Sequence, residues 1–426
     1  MSQQYYPALD ETLYHQVLPN GLTVLVVPKQ GFTKKMAYFV TDFGAVHTDF
    51  ILEGQQHKVP AGVAHYLEHK LFDLPGRDVA GEFAALGAAV NAFTSYDMTA
   101  YYFSTTENFT DCLKLLLEFV STPYFTEESV EKERGIIDQE IGMNADDPTT
   151  QVFENLTKAM FDHPIRQPIL GTSEDIRHIT PEILHLCHRA FYTPKNMILC
   201  VVGDVDMDEI TATALEVLGS TNCPTGEKAP FPEESMQVKK SVTTTQMDVA
   251  MPMFNLGFKC EPLGKGDEAI QQEIIGDMAA EVLFGEASGL YLQMYGQGLI
   301  DSSFGGGFET IDGCALLNCS GDSYQPEAVR DAIVAEAQRL CAEGIDETAF
   351  LRLKRSAMGR RIRDLDSFDS TCFRLCAYKM SDFDYFRFPE IYHAITSQQV
   401  QEFLSRIVRQ ERCSLSIIEM LKEETK

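Results

Sequence analysis

AGVAHYLEHKLF, residues 61–72, is the stretch whose reading decides the rest of the chain. On an α-helix, His65 and His69 stand one turn apart on one face, so both imidazoles can reach a single ion. Glu68 shares that face and sets a carboxylate beside the two ring nitrogens. Neutral imidazoles suit zinc, and a carboxylate left free beside them suits a general base for zinc-polarised water. An exposed polar helix face is the plainer reading of the same five residues, and spacing alone does not separate the two.

Outward from that stretch, the composition narrows the class of protein. The 426 residues exceed one typical core and imply two domains, and 44% hydrophobic residues describe an ordinary globular protein. A net charge of −28 and an isoelectric point near 4.7 argue against nucleic acid as a partner, because little here would neutralise phosphates. The acidity has two open meanings: a solvated surface, or an acidic cavity that attracts basic peptides. Eleven Cys are scattered without a CxxC pair, which fits reduced thiols in a cytosol. The N-terminal MSQQYYPALDETLYH lacks a secretory pattern, and no apolar run approaches the roughly 18 residues that span a bilayer. A cytoplasmic protein without membrane contact is the expectation.

Residues 13–29 read as a hairpin about Pro19-Asn20-Gly21, its second strand ended by Pro28. A strand follows at 36–43, and Pro60 stands at an expected first helical position before the motif helix. A second helix is predicted over 79–86, then two strands within 88–103 that bend at 95–97, and an amphipathic helix over 107–120. Thr126 caps a further helix that carries Glu133 and Glu140. Seven residues apart, these acids project from one face: a solvated face in general, but a candidate metal-site face so soon after the two His. His185 and His188 flank Cys187 without a wider ligand set and read as structural residues. An apolar strand is predicted at 197–202.

Residues 219–238, rich in Pro, Gly and charge, read as a linker. It separates an N-terminal zinc-binding module, 1–218, from a C-terminal module, 239–426, that repeats the strand-then-helix order. Strands are expected near 242–259 and 304–320, with helices over 267–284, 326–342, 346–363 and 398–409. A duplicated fold follows as an expectation. Nine of the ten His precede residue 189, so the metal chemistry belongs to the first half.

The first half resembles the pitrilysin family of zinc peptidases, which includes insulin-degrading enzyme and mitochondrial processing peptidase. Four stretches carry the likeness in order: HYLEH at 65–69, in the H-x-x-E-H order of inverzincins, VNAFTSYDMTAYYF at 90–103, EKERGIIDQEI at 131–141 and FYTPKNMILCVVGD at 191–204. The resemblance implies an α/β (α+β) protein of two tandem homologous modules, each an antiparallel sheet covered by helices, together forming half of a clamshell around a chamber. It implies a Zn2+ cofactor held by His65, His69 and Glu140, with Glu68 as general base and Glu133 as a supporting acid. It implies that Asn91, Ala92 and Phe93 form the sheet edge to which a peptide substrate adds; taken alone they are an ordinary strand. Zinc-dependent endopeptidase activity is the expected function. The alternative is a non-catalytic structural or peptide-binding subunit, since some relatives keep the fold and lose the chemistry, although this chain retains every motif residue.

Active relatives also carry an Arg and a Tyr seven residues apart in their last module. Here the corresponding stretch is Met294-Tyr-Gly-Gln-Gly-Leu-Ile-Asp301, with Met294 for the Arg and Asp301 for the Tyr. Neither residue donates as the family pair does. The chain is therefore expected to work with a homologous partner subunit as a heterodimer; the alternatives are a homodimer, or that Tyr291 or Tyr295 substitutes locally for the pair.

Overall fold

A computed structural model describes residues 1–221 and 223–421. The chain opens with β1 (Ser2–Tyr6), β2 (Glu11–Val17), β3 (Thr23–Pro28), β4 (Lys35–Thr41) and a short hairpin, β5 (Asp49–Leu52) and β6 (Gln55–Lys58). Helices α1 (Val63–Leu71) and α2 (Val79–Ala85) precede strands β7 (Ala89–Thr94) and β8 (Thr99–Thr105). Then come α3 (Phe109–Ser121), α4 (Glu127–Asp146), α5 (Pro148–Met160), α6 (Ser173–Arg177) and α7 (Pro181–Phe191). Strand β9 (Met197–Gly203), α8 (Met207–Leu218) and β10 (Glu227–Lys228) complete the first half. The second half runs β11 (Val242–Met247), β12 (Met253–Cys260), α9 (Asp267–Phe284), α10 (Gly289–Gly296), β13 (Gly305–Ile311) and β14 (Cys314–Asp322). It ends with α11 (Pro326–Glu343), α12 (Glu347–Arg363), α13 (Phe368–Met380), α14 (Phe388–Ala394), α15 (Ser397–Ile407) and β15 (Cys413–Met420).

The two large sheets share one topology. The first runs β1-β2-β3-β9-β4-β8-β7 and the second β11-β15-β12-β14-β13. In each, the module's first core strand lies parallel to its last (β3 with β9, β11 with β15), and the other pairings are antiparallel. The first sheet adds β1 and β2 outside β3. The expected pair of helix-covered modules is therefore present, with one parallel pair in each otherwise antiparallel sheet. The Pro-Asn-Gly hairpin forms as β2 and β3, with Val17 opposite Thr23. Strand β1 carries no such signal: four of its five residues are exposed and polar or aromatic, without an apolar period.

By compactness the chain divides into two units that interleave in sequence. One holds 1–141, 168–230 and 362–387, the other 142–167, 231–361 and 388–426. Each unit thus takes a helix from the sequence of the other half. In the first unit, α13 lays Cys372, Leu375 and Cys376, all at most 2% exposed, against β4 and β9. In the second, Leu156 and Met160 of α5 pack over Gly257 of β12. Within the stretch expected as a linker, Glu227 and Lys228 pair with Ile51 and Phe50 as β10 against β5. No helix among the described residues is long and apolar enough to cross a membrane.

Candidate metal centre

Helix α1 starts at Val63, not at Pro60, because Gly62 takes a left-handed conformation (φ 83°) at the cap. Side chains on the far side of α1 fix its pose: Tyr66 and Leu67 are fully buried, and the Tyr66 hydroxyl donates to the Val130 carbonyl at the start of α4. Lys70, only 1% exposed, donates to Asp73 (2.6 Å) and to the Ser129 carbonyl (3.3 Å). The remaining face presents His65, Glu68 and His69.

Helix α4 turns Val130, Glu133, Ile137 and Glu140 to a common side, at the 3-4-3 spacing of one helix face. Val130 and Ile137 are buried and anchor that face. Arg134 holds the helix in place through the Ile176 and Ile179 carbonyls, at 3.2 and 3.1 Å. The two acids then meet the two His at different atoms. Glu140 Oε2 lies 3.6 Å from both His65 Nε2 and His69 Nε2. Glu133 Oε1 lies 2.9 Å from His69 Nδ1, the far side of that ring. His65, His69 and Glu140 are the group among the described residues that could hold a metal ion, with one donor atom each and all within 4.8 Å.

The donor set fits zinc. Two imidazole nitrogens and one carboxylate oxygen suit zinc, and tetrahedral bonds of about 2.0–2.1 Å put ligand atoms about 3.3 Å apart, close to the 3.6 Å between Glu140 and each His. A calcium-like ion would require several more oxygens. Glu133 supplies the outer carboxylate that fixes ring orientation in such sites. Burial alone would lower the His69 pKa, but the hydrogen bond with Glu133 and the charges of Glu68, Glu133 and Glu140 raise it above the ordinary imidazole value. The His65 hydrogen bond, against partial burial, holds Glu140 below the usual carboxylate range. The carboxylates that raise the His69 pKa would favour a divalent cation at the same point for the same electrostatic reason.

Glu68 is not among those donors. Its Oε2 accepts a 2.7 Å hydrogen bond from Thr94 Oγ1, at the end of β7. Thr94 was not singled out in the sequence, where nothing marks which strand residue meets the motif helix. Strand β7, carrying Asn91, Ala92 and Phe93, is the outermost strand of its sheet, paired on one side with β8. The Ala92 N–H donates to the Asn91 side-chain carbonyl (2.9 Å) in place of a ladder partner, so it points to the open side. His188 is a packed side chain, bonded to the Val120 carbonyl (3.0 Å) and stacked on Tyr192, as expected of a structural residue. In the second unit, Met294 is fully buried in α10, and the Asp301 carboxylate accepts from Ser303 N–H and Oγ at 2.7 and 2.5 Å.

This arrangement defines a class, a helix-borne HxxEH centre completed by an acid from a following helix on a duplicated sheet-and-helix fold, and the comparisons agree with it. The family described as Insulinase (Peptidase family M16) matches residues 55–173, and the Peptidase M16 inactive domain matches 178–357. The uncharacterized zinc protease YmfH of Bacillus subtilis (strain 168) is 34% identical over 418 residues, covering 96% of this chain and 97% of its own. An M16-like peptidase structure from Alicyclobacillus acidocaldarius has a TM-score of 0.93 at 32% identity, covering 97% of this chain and 99% of its own. A Helicobacter pylori protease shares the fold, with a TM-score of 0.80 at 19% identity over 96% of this chain and 99% of its own. The chain belongs to the insulinase, or M16, family of zinc-protease-like proteins.

Proposed function

We propose that the chain is a zinc-dependent endopeptidase that hydrolyses extended or unfolded peptides. The observation that carries this reading is the convergence of His65 Nε2, His69 Nε2 and Glu140 Oε2 around one point, with the Glu68 carboxylate on the same helix face and outside that set. When bound there, zinc supplies Lewis acidity that brings a water toward neutral pKa and polarises a carbonyl. His65, His69 and Glu140 hold the ion and leave a position open, Glu140 being partly solvent-accessible. Glu133 keeps His69 in the tautomer that offers Nε2. Glu68 takes the proton from the attacking water and passes it to the leaving amine as the peptide bond breaks. The open side of β7 at Asn91, Ala92 and Phe93 receives the substrate main chain as an added strand, which favours extended peptides of varied sequence.

The match named for an inactive domain lies mostly in the half without these ligands and does not count against the site. The partner reading stands on Met294 and Asp301: a buried thioether and a carboxylate engaged by Ser303 cannot supply the missing Arg and Tyr. A homologous subunit that carries such a pair completes the site in a heterodimer. The scattered Cys favour a cytoplasmic setting. The test is zinc content together with peptide cleavage by the parent and Glu68→Gln proteins, each mixed with a homologue that carries the Arg/Tyr pair. About one zinc in each chain and cleavage with the parent but not with Glu68→Gln supports the assignment, and equal cleavage by both refutes it.

A further inference from the structure

We infer that Thr94 is a positioning residue for Glu68, set in place by a turn that only a glycine at 44 permits. The inference rests on the proposed peptidase reading and adds to it a role for a residue that lies within the 90–103 stretch but to which the resemblance assigned none. A glutamate has three side-chain torsions, and fixing them costs conformational entropy. A base on α1 therefore needs something outside α1 to aim it. The Thr94 Oγ1–H bond to Glu68 Oε2, at 2.7 Å, does this and leaves the second carboxylate oxygen free to accept a proton.

Thr94 in turn is held by its neighbours along the chain. It is the last residue of β7, opposite Thr99 of β8. The turn beyond it closes through Ser95 N–H to the Met98 carbonyl (2.8 Å), and Ser95 Oγ donates to Asp97 Oδ1 (2.8 Å). A second segment clamps that turn from outside: Ala45 N–H donates to the Ser95 carbonyl (3.0 Å) and Val46 N–H to the Tyr96 carbonyl (2.9 Å). Thr99 Oγ1 donates to the Phe43 carbonyl (2.8 Å). Gly44 sits between these bonds with no room for a side chain, since a Cβ there would lie 2.5 Å from Met98 N and 2.6 Å from Asp97 N. The run from Gly44 through the turn to Thr94 and Glu68 is thus one hydrogen-bonded path. Because Thr94 belongs to the same strand as Asn91, Ala92 and Phe93, it ties the aim of the base to the strand proposed to receive the peptide.

The experiment compares Thr94→Val, Thr94→Ser and Gly44→Ala with the parent and with Glu68→Gln, all zinc-loaded. Two readouts are taken: the crystal structure around Glu68, and kcat and KM on an extended peptide in the presence of a homologue that carries the Arg/Tyr pair. Thr94→Val keeps the shape and removes the donor, so the Glu68 carboxylate should leave its position or split into conformers. Its kcat should fall about 10- to 100-fold, as misplacement of a reacting group by about 1 Å can do, with KM and zinc content unchanged. Thr94→Ser should restore both the hydrogen bond and kcat. Gly44→Ala should shift the 95–98 turn and lower kcat in the same manner. A Thr94→Val structure with Glu68 in its parental position would overturn the inference, as would parental kcat in that variant beside an inactive Glu68→Gln. Parental kcat in Glu68→Gln itself would instead overturn the peptidase reading beneath it.

Discussion

Glu133 and Glu140 leave the same face of the same helix, yet they meet opposite nitrogens of one imidazole, and this predicts opposite phenotypes. Glu140→Gln replaces a charged donor at the converging point and should release zinc readily on dialysis. Glu133→Gln weakens only the hold on His69 Nδ1 and should keep most of the metal while losing about 10- to 100-fold in activity. Metal analysis of the two variants side by side decides it, and equal loss from both would mean the roles are wrongly divided. His188 gives a separate prediction about stability. Burial, opposed by its bond to the Val120 carbonyl, lowers its pKa to about 4, below the roughly 6.5 of a free imidazole. The unfolded chain therefore binds this proton first as pH falls, so the stability from a neutral His188 is complete above about pH 6.5 and is lost between about 6.5 and 4. By pH 5 the loss is about 2 kcal/mol. Urea titrations of metal-free protein at pH 7 and pH 5 should show His188→Gln less stable at pH 7 but less sensitive to acid. Parallel pH curves for variant and parent would refute the assignment. Helix spacing put the two His with Glu68, and the two acids, on common faces in the sequence, but only the family resemblance assigned them roles at one centre. Thr94 was not legible, because its partner lies 26 positions away on another element and a threonine ending a strand is unremarked.

Strand β7 is the element on which the substrate proposal depends. Its outward donor at Ala92 is met only by the neighbouring Asn91 side chain, so removing it should leave the β7–β8 ladder intact. Ala92→Pro takes away that N–H at an edge position, where proline is tolerated. The expected result is a KM for extended peptides raised about 5- to 10-fold, in line with one lost hydrogen bond of about 1 kcal/mol, with zinc content unchanged. Equal KM values in parent and variant would remove β7 as the docking edge. Elements with strong local signals were readable: the Pro-Asn-Gly hairpin, the motif helix, and the two strands bent about 95–97. The capping glycine that delays α1 to Val63 and the polar edge strand β1 were not, since neither leaves an apolar period. The exchange of α5 and α13 between units was equally hidden, because periodicity shows which face of a helix is apolar but not which sheet it covers.

At the scale of the whole chain, the duplicated strand order was anticipated from similar halves without a residue-level repeat, and the two sheets now supply the correspondence strand by strand. Among the described residues one donor cluster serves the doubled fold, with all three of its residues in the first module. Mixing the purified chain with a co-encoded homologue that has an intact Arg/Tyr stretch should raise turnover well above that of either protein alone. Full turnover by the isolated chain, unchanged by that addition, would contradict the heterodimer. The most direct test of the central claim is cleavage-site mapping on a peptide library with the zinc-loaded chain and this homologue. Parent protein should generate new peptide termini that vanish on chelation and return with zinc, while Glu68→Gln keeps its zinc and loses on the order of 10²–10⁴ in rate. Failure of the zinc-loaded parent to cut any peptide, or equal cutting by Glu68→Gln, would contradict the account.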